Sequence, residues 1–173
     1  MERQKKNSGF TLIELLVVIS FILLFSGYSV GYYNQYTEQK KLENTGKKIA
    51  NILSLARAKT IAGDSSMCGG VGAEIASYSI EILSSSEYSL QPNCSAGSPS
   101  PIVYKTETNI VFPTPVLSVS FFPITGGAKC DYIYIKNTAL SGSGVCRYTK
   151  VSSTGLISED ACSACDACPS ICP

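Results

Sequence analysis

KKNSGFTLIELLVVISFILLF, Lys5 to Phe25, decides how the rest of the chain is read. Three bases, Arg3, Lys5 and Lys6, precede Ser8-Gly9, and an apolar run opens at Phe10. From Phe10 to Val30 there are 21 residues and one charge, Glu14. About 20 apolar helical residues cross a hydrocarbon core. Extending the run to Tyr33 adds Gly31 and two aromatics suited to a membrane interface. A carboxylate inside such a span costs roughly 2.5–3.5 kcal/mol on insertion scales, so it calls for a partner and a function.

Two plainer readings compete. A secretory signal peptide has a shorter apolar region, about 7–15 residues, ahead of a small-x-small cleavage site. An ordinary single-pass anchor accounts for the bases, which set the N-terminus in the cytoplasm. Neither accounts for Glu14 together with a glycine at the membrane boundary. The residues Lys5, Lys6, Gly9, Phe10, Thr11, Leu12, Ile13, Glu14 and Leu15 form a contiguous pattern that resembles the N-terminus of type IV prepilins and the related pseudopilins. The resemblance covers about the first 30 residues. It implies that a prepilin peptidase cuts after Gly9 and methylates the new terminus at Phe10.

The chemistry suits each position. Gly9 has no side chain, so a protease can approach its carbonyl closely. Cutting there gives Phe10 an α-amine with a reference pKa of about 7.7–8.0, mostly cationic at neutral pH. Glu14 can supply the counter-charge. The resemblance implies that it meets the Phe10 amine of a neighbouring subunit during assembly. A contact within one chain is open too, since positions four apart share a helix face. Gly27 and Gly31 form a GxxxG, a spacing that lets membrane helices pack closely. No proline lies between Phe10 and Ile61, so the glycines soften the helix rather than kink it.

Beyond Tyr33 the pattern stays helical. Leu42, Thr45, Ile49, Ile52, Leu53 and Ala56 fall on one helix face, with lysines over much of the remainder. Gly46 interrupts this stretch, and Gly63 reads as a C-cap. From Cys68 the period shortens to two. Strands are expected at 71–76, 78–83, 87–91, 102–106, 109–112, 116–122, 131–136 and 144–151, separated by breaks such as SSS, PNCSAGSPSP and SSTG. The expected class is α+β and pilin-like. A long N-terminal α-helix, membrane-spanning in its first half, packs on an antiparallel β-sheet head that ends in a Cys-rich C-terminal tail. The boundaries are 1–9 for a cleaved leader, 10–33 for the transmembrane and filament-core helix, and 34–62 for its amphipathic continuation. The head takes 63–158 and the tail 159–173. SLARAKTIAG and the late RYTKVSSTGLI are loosely similar to H-type minor pseudopilins.

Eight cysteines suit an oxidising, extracytoplasmic space. Cys68, Cys94, Cys130 and Cys146 are dispersed, whereas Cys162, Cys165, Cys168 and Cys172 crowd the tail. All are disulfide candidates, and sequence does not choose among the pairings. Cys130 with Cys146 is the first guess, since they flank an expected strand pair. The tail also reads CxxCxxCxxxCP, the spacing of ferredoxin cluster ligands, and four thiolates can hold zinc. Its single copy, and the membrane it has to cross, favour disulfides. No metal or cofactor is expected.

The chain lacks histidine, which removes His-based triads and His-ligated zinc. Gly69, Gly70 and Gly72 read as a turn rather than a phosphate loop, and no enzyme is expected. Formal charge is +1, and +2 of it sits in the first nine residues, so the remainder is near −1. That balance gives no whole-molecule case for nucleic acid.

The functional expectation is a structural subunit, minor rather than major, of a type IV pilus or type II secretion-like filament. Its partners would be the prepilin peptidase/methyltransferase, other pilins or pseudopilins and an inner-membrane assembly platform. It would sit in the cytoplasmic membrane, N-terminus in and head outside, before joining an extracytoplasmic filament. The alternatives are a filament-tip module for DNA uptake or adhesion, using Lys129, Lys136, Arg147 and Lys150, and a membrane-anchored redox protein using the tail.

Overall fold

A computed structural model of the protein describes residues 10–69, 72–113, 117–123, 127–129, 131–142, 144–162 and 168, with backbone alone at 28–30. The chain divides into two units, Met1–Thr37 and Glu38–Pro173. One helix, α1, runs from Leu12 to Ile61 and supplies the described part of the first unit and the opening of the second.

In the first unit none of the described helix side chains is buried. Leu12, Ile13, Leu15, Leu16, Phe21, Ile22, Leu24 and Phe25 are all exposed. Its few polar side chains are satisfied locally. The Ser20 hydroxyl donates to the Leu16 carbonyl at 2.9 Å and the Thr37 hydroxyl to the Tyr33 carbonyl at 2.9 Å. Such bonds to the preceding turn let a hydroxyl sit in apolar surroundings.

In the second unit the amphipathic part of α1 meets two sheets. Leu42, Ile49, Leu53 and Ala56 are buried in the core, and Ile52 packs against it half-buried. This is the apolar face expected from the 3.6-residue period. The helix runs through Gly46 without a break, correcting the expected interruption. A Cβ there would lie 3.4 Å from Glu159 Oε2 and 3.7 Å from Ile135 Cδ1, so the glycine leaves room for those two side chains against the helix. Gly63, at φ +61°, ends the helix. The Gly63 N–H donates to the Thr60 carbonyl and the Asp64 N–H to the Lys59 carbonyl. This pair of bonds closes a helix with a left-handed residue.

Sheet A is formed by β1 (Ile75–Ile82), β2 (Glu87–Cys94), β3 (Ile102–Lys105) and β5 (Ser118–Phe121), in the order β3-β2-β1-β5. Sheet B is formed by β4 (Ile110–Val111), β6 (Asp131–Asn137), β7 (Cys146–Val151) and β8 (Ile157–Cys162), in the order β4-β6-β7-β8. Every pairing between these strands is antiparallel. Tyr78, Ile80, Leu90, Val119 and Phe121 from sheet A share one core with Ile110, Ile133, Ile135 and Val151 from sheet B.

Three strands differ from expectation. The two expected at 71–76 and 78–83 are one strand, β1, with an irregularity between Ile75 and Ser77. The extra residue shifts the alternation by one, and a shifted alternation reads as two strands. β2 continues through Pro92, where a break is expected. Its neighbour β3 pairs only with Glu87 to Leu90, so Pro92 lies past the end of that ladder and its missing N–H costs no bond there. β8 is the third. Its six residues pair along β7 from Val151 to Cys146, and they cross residue 158, where the tail is expected to begin.

Candidate functional site

The expected site lies at the N-terminal end of α1. Thr11 precedes the first helical residue, and its hydroxyl oxygen accepts the Glu14 N–H at 3.3 Å. Thr11-Leu12-Ile13-Glu14 has the spacing of a capping box, in which an acid at the third helical position faces back toward the helix start. The unpaired N–H groups of the first turn also favour an anion. Glu14 is thus held in the helix's opening turn, at the same end as Phe10. Phe10 is 74% and Leu12 82% exposed. Leu12, Leu15, Leu16, Ile19 and Ser20 line a shallow apolar groove along one side.

Gly9 lies outside the described residues, as does the rest of the basic leader. Outside their own turn of helix, nothing among the described residues lies within 4 Å of where a Cβ on Gly27 or Gly31 would be. The helix surface at both is open to a neighbour. Past them, Tyr32, Tyr33 and Tyr36 are exposed. The helix is long and apolar enough to cross a membrane.

Of the cysteines, Cys68 is bonded to Cys94, with Cα atoms 5.8 Å apart, and ties the segment after α1 to the end of β2. Cys162 is bonded to Cys168, 5.3 Å between Cα atoms. In this oxidised form those two sulfurs are not thiolates. Cys146 is also disulfide-bonded. Cys130, Cys165 and Cys172 lie outside the described residues, and with them the expected pairing of Cys130.

The bases offered for a tip patch do not all lie on one face. Arg147 shares the side of β7 that faces α1, its Nε 3.8 Å from where a Gly46 Cβ would be. Lys136 and Lys150 alternate onto the opposite side of sheet B, where Lys150 Nζ sits 5.7 Å from the centre of the Tyr132 ring. Residues three apart in a strand face opposite ways, so the separation of Arg147 from Lys150 was legible from the period of two.

A polar cluster that sequence reading missed sits at the start of the second unit. The Glu38 carboxylate accepts from the Lys41 ammonium and from Asn137 Nδ2 at 2.9 Å. The same Nδ2 donates to the Glu38 carbonyl at 3.0 Å, and Asn137 Oδ1 accepts the Ala139 N–H at 2.8 Å. Asn137 is fully buried. A buried amide with both ends bonded fixes one strand end against one helix turn. Asn109, held at φ +71°, also helps hold the Glu38 carboxyl below its ordinary value. The pair Glu38 and Asn137 is 99 residues apart in sequence, so no local pattern announces it.

Lys41 first, then Asn137, holds the Glu38 carboxyl below its ordinary value of 4.5. Lys40 and Lys47 pull Glu43 down to about 2, and Lys59 holds Asp64 well below the usual range. Burial pushes Glu159 up, against the pull of Arg147. For a depressed carboxyl the stabilisation is present above its unfolded value and lost as pH falls through its folded one. The thermal midpoint of the second unit should therefore fall on acidification below about pH 4.5, with contributions from Glu38, Glu43 and Asp64. Glu38→Gln should give a shallower acid slope, its curve meeting the wild type at low pH. Parallel curves would show that the Glu38 charge has no part in the packing.

Residues 4–25 match the prokaryotic N-terminal methylation motif. The described fold is similar to the crystal structure of the type IV minor pilin FimU from Pseudomonas aeruginosa, with a TM-score of 0.50. The fold is that of a pilin. Sequence identity to FimU is 17%, and the match covers 72% of this chain and 99% of that one. No curated protein sequence matches the chain. This pilin-like chain thus carries an N-terminal methylation motif that runs into one long helix, followed by antiparallel sheets, as expected from Lys5 to Leu15 and from the switch of period after Cys68.

Proposed function

We propose that this chain is a structural subunit, in minor amount, of a type IV pilus or type II secretion-like filament. One observation carries the reading. The described side chains in the first half of α1 are nearly all apolar and all exposed, and its one acid stands in the opening turn, at the same end as Phe10. A surface like that needs either lipid or other helices around it. Lipid covers it first, with Tyr32 and Tyr33 at the outer interface. Packed helices of other pilins cover it after assembly, with Gly27 and Gly31 at the close contacts.

Prepilin peptidase cuts between Gly9 and Phe10 and methylates Phe10. Methylation leaves the amine cationic, so it remains a partner for Glu14. The assembly platform of the inner membrane receives the processed chain with its N-terminus in and its head outside. The head, 63–158, and the Cys-rich segment, 159–173, then face the exterior, where disulfides persist. Arg147 stands on the other side of sheet B from Lys136 and Lys150, which leaves a smaller cationic patch to a nucleic-acid role.

The test is recovery of this chain in filaments sheared from cells that express it from its own locus. Its presence at a small fraction of the main subunit supports the reading. Its confinement to the membrane fraction, in cells that bear filaments, overturns it.

A further inference from the structure

The second unit presents apolar side chains to water at both ends of its stretch of α1. Glu38 marks one end and Ile61 the other, about 35 Å away along the helix. At the Ile61 end, Ser54, Arg57, Ala58, Ile61, Leu156 and Ile157 line a groove of about 330 Å³. Leu156 is 64% and Ile61 54% exposed. Leu156 lies in the turn from β7 to β8, and that turn is ordered. The Ser152 N–H donates to the Leu156 carbonyl at 2.9 Å, the Gly155 N–H to the Ser152 carbonyl at 2.8 Å, and the Leu156 N–H to the Ser152 hydroxyl at 3.0 Å. Arg57 Nη2 donates to the Thr154 carbonyl at 3.2 Å and ties the turn to the helix.

The turn from β1 to β2 stands at the Glu38 end. The Phe112 N–H donates to the Ser85 carbonyl at 2.8 Å, and Phe112 follows β4, whose Ile110 pairs with Asn137, the partner of Glu38. This turn is tight as well. The N–H groups of Leu83 and Ser84 both donate to the Glu87 carbonyl, at 2.9 and 3.2 Å. Ile82 points into the core, so Glu81 and Leu83 share the outer side, and Leu83 is 45% exposed.

We propose that the groove of Leu156 and Ile61 is the docking site for the Leu83 turn of a second copy of this chain. A leucine held out on a tight turn suits an apolar groove, and the contact takes Leu83, Leu156 and Ile61 out of water together. The charges are complementary. Glu81 stands two residues before Leu83, and Arg57 lines the groove. A guanidinium carries five N–H donors, so a carboxylate can be added to the acceptors Arg57 already has. Each copy then offers a groove to one neighbour and a leucine turn to the next. Contacts between unlike surfaces extend into a line, whereas a surface that meets itself closes a dimer. The contact rests on the filament reading for its use, as the step that stacks one head on another.

Photo-cross-linking of the full-length, oxidised protein in detergent tests this. The photoreactive residue p-benzoylphenylalanine replaces Leu156 in one preparation, which is mixed with isotope-labelled copies of the unaltered chain and irradiated. Adducts between copies should form, and peptide mass should place them in residues 81–87 of the labelled chain. Leu83→Ser in the labelled chain should lower their yield about tenfold, as loss of one leucine's burial would. No adduct between copies would overturn the proposal. So would adducts at the labelled chain's own groove or at its apolar helix in place of 81–87, or an unchanged yield with Leu83→Ser. If Leu83→Ser lowers the thermal midpoint of the second unit, the position of the adduct on the unaltered chain decides. Because purified protein is used, absence of the chain from sheared filaments would strike the filament reading and leave this contact standing.

Discussion

Gly9→Leu should leave the precursor uncut in the membrane. The α-carbon hydrogens of Gly9 leave its carbonyl open, and an isobutyl group there displaces the scissile bond from the catalytic groups of the peptidase. An ångström of misplacement at a reacting bond costs about a hundredfold in rate. Two consequences should follow. Phe10 never gains a free amine, so it is not methylated. Glu14 has no cation to meet, so the variant is missing from filaments although its head folds normally. Mass analysis of the membrane-bound variant reads both. A variant shortened to Phe10 at the normal rate would contradict the assignment of the cleavage site.

Glu14→Gln should insert, be cut at Gly9 and then fail to assemble. Glutamine serves the capping box as glutamate does, so helix initiation behind Thr11 is preserved and only the charge is lost. An amine placed among apolar helices without its carboxylate costs about 3–5 kcal/mol, over a hundredfold in the assembly equilibrium. Incorporation into sheared filaments should fall accordingly, with the membrane pool unchanged. Wild-type incorporation would mean that the carboxylate serves the helix cap and that the Phe10 amine finds its partner elsewhere.

Much of this was legible because it is local. The methylation motif lies within residues 4–25, and the buried face of α1 follows from its period. The Gly63 cap needs only the four residues before it. What was not legible involves distance or phase. Glu38 and Asn137 meet only once sheet B is folded against α1. The phase shift near Ser77 hid the continuity of β1. β8 carries Glu159 and Asp160 in a strand whose apolar residues are few, so it reads as part of a polar tail. Cys68 and Cys94 are brought together by the path of the chain into β1 and along β2, which spacing alone does not determine.

The N-terminal mass of this chain, taken from filaments rather than from the membrane, tests the central claim most directly. A terminus of N-methylated Phe10 is the predicted result. The intact Met1 terminus on protein recovered from assembled filaments would contradict it.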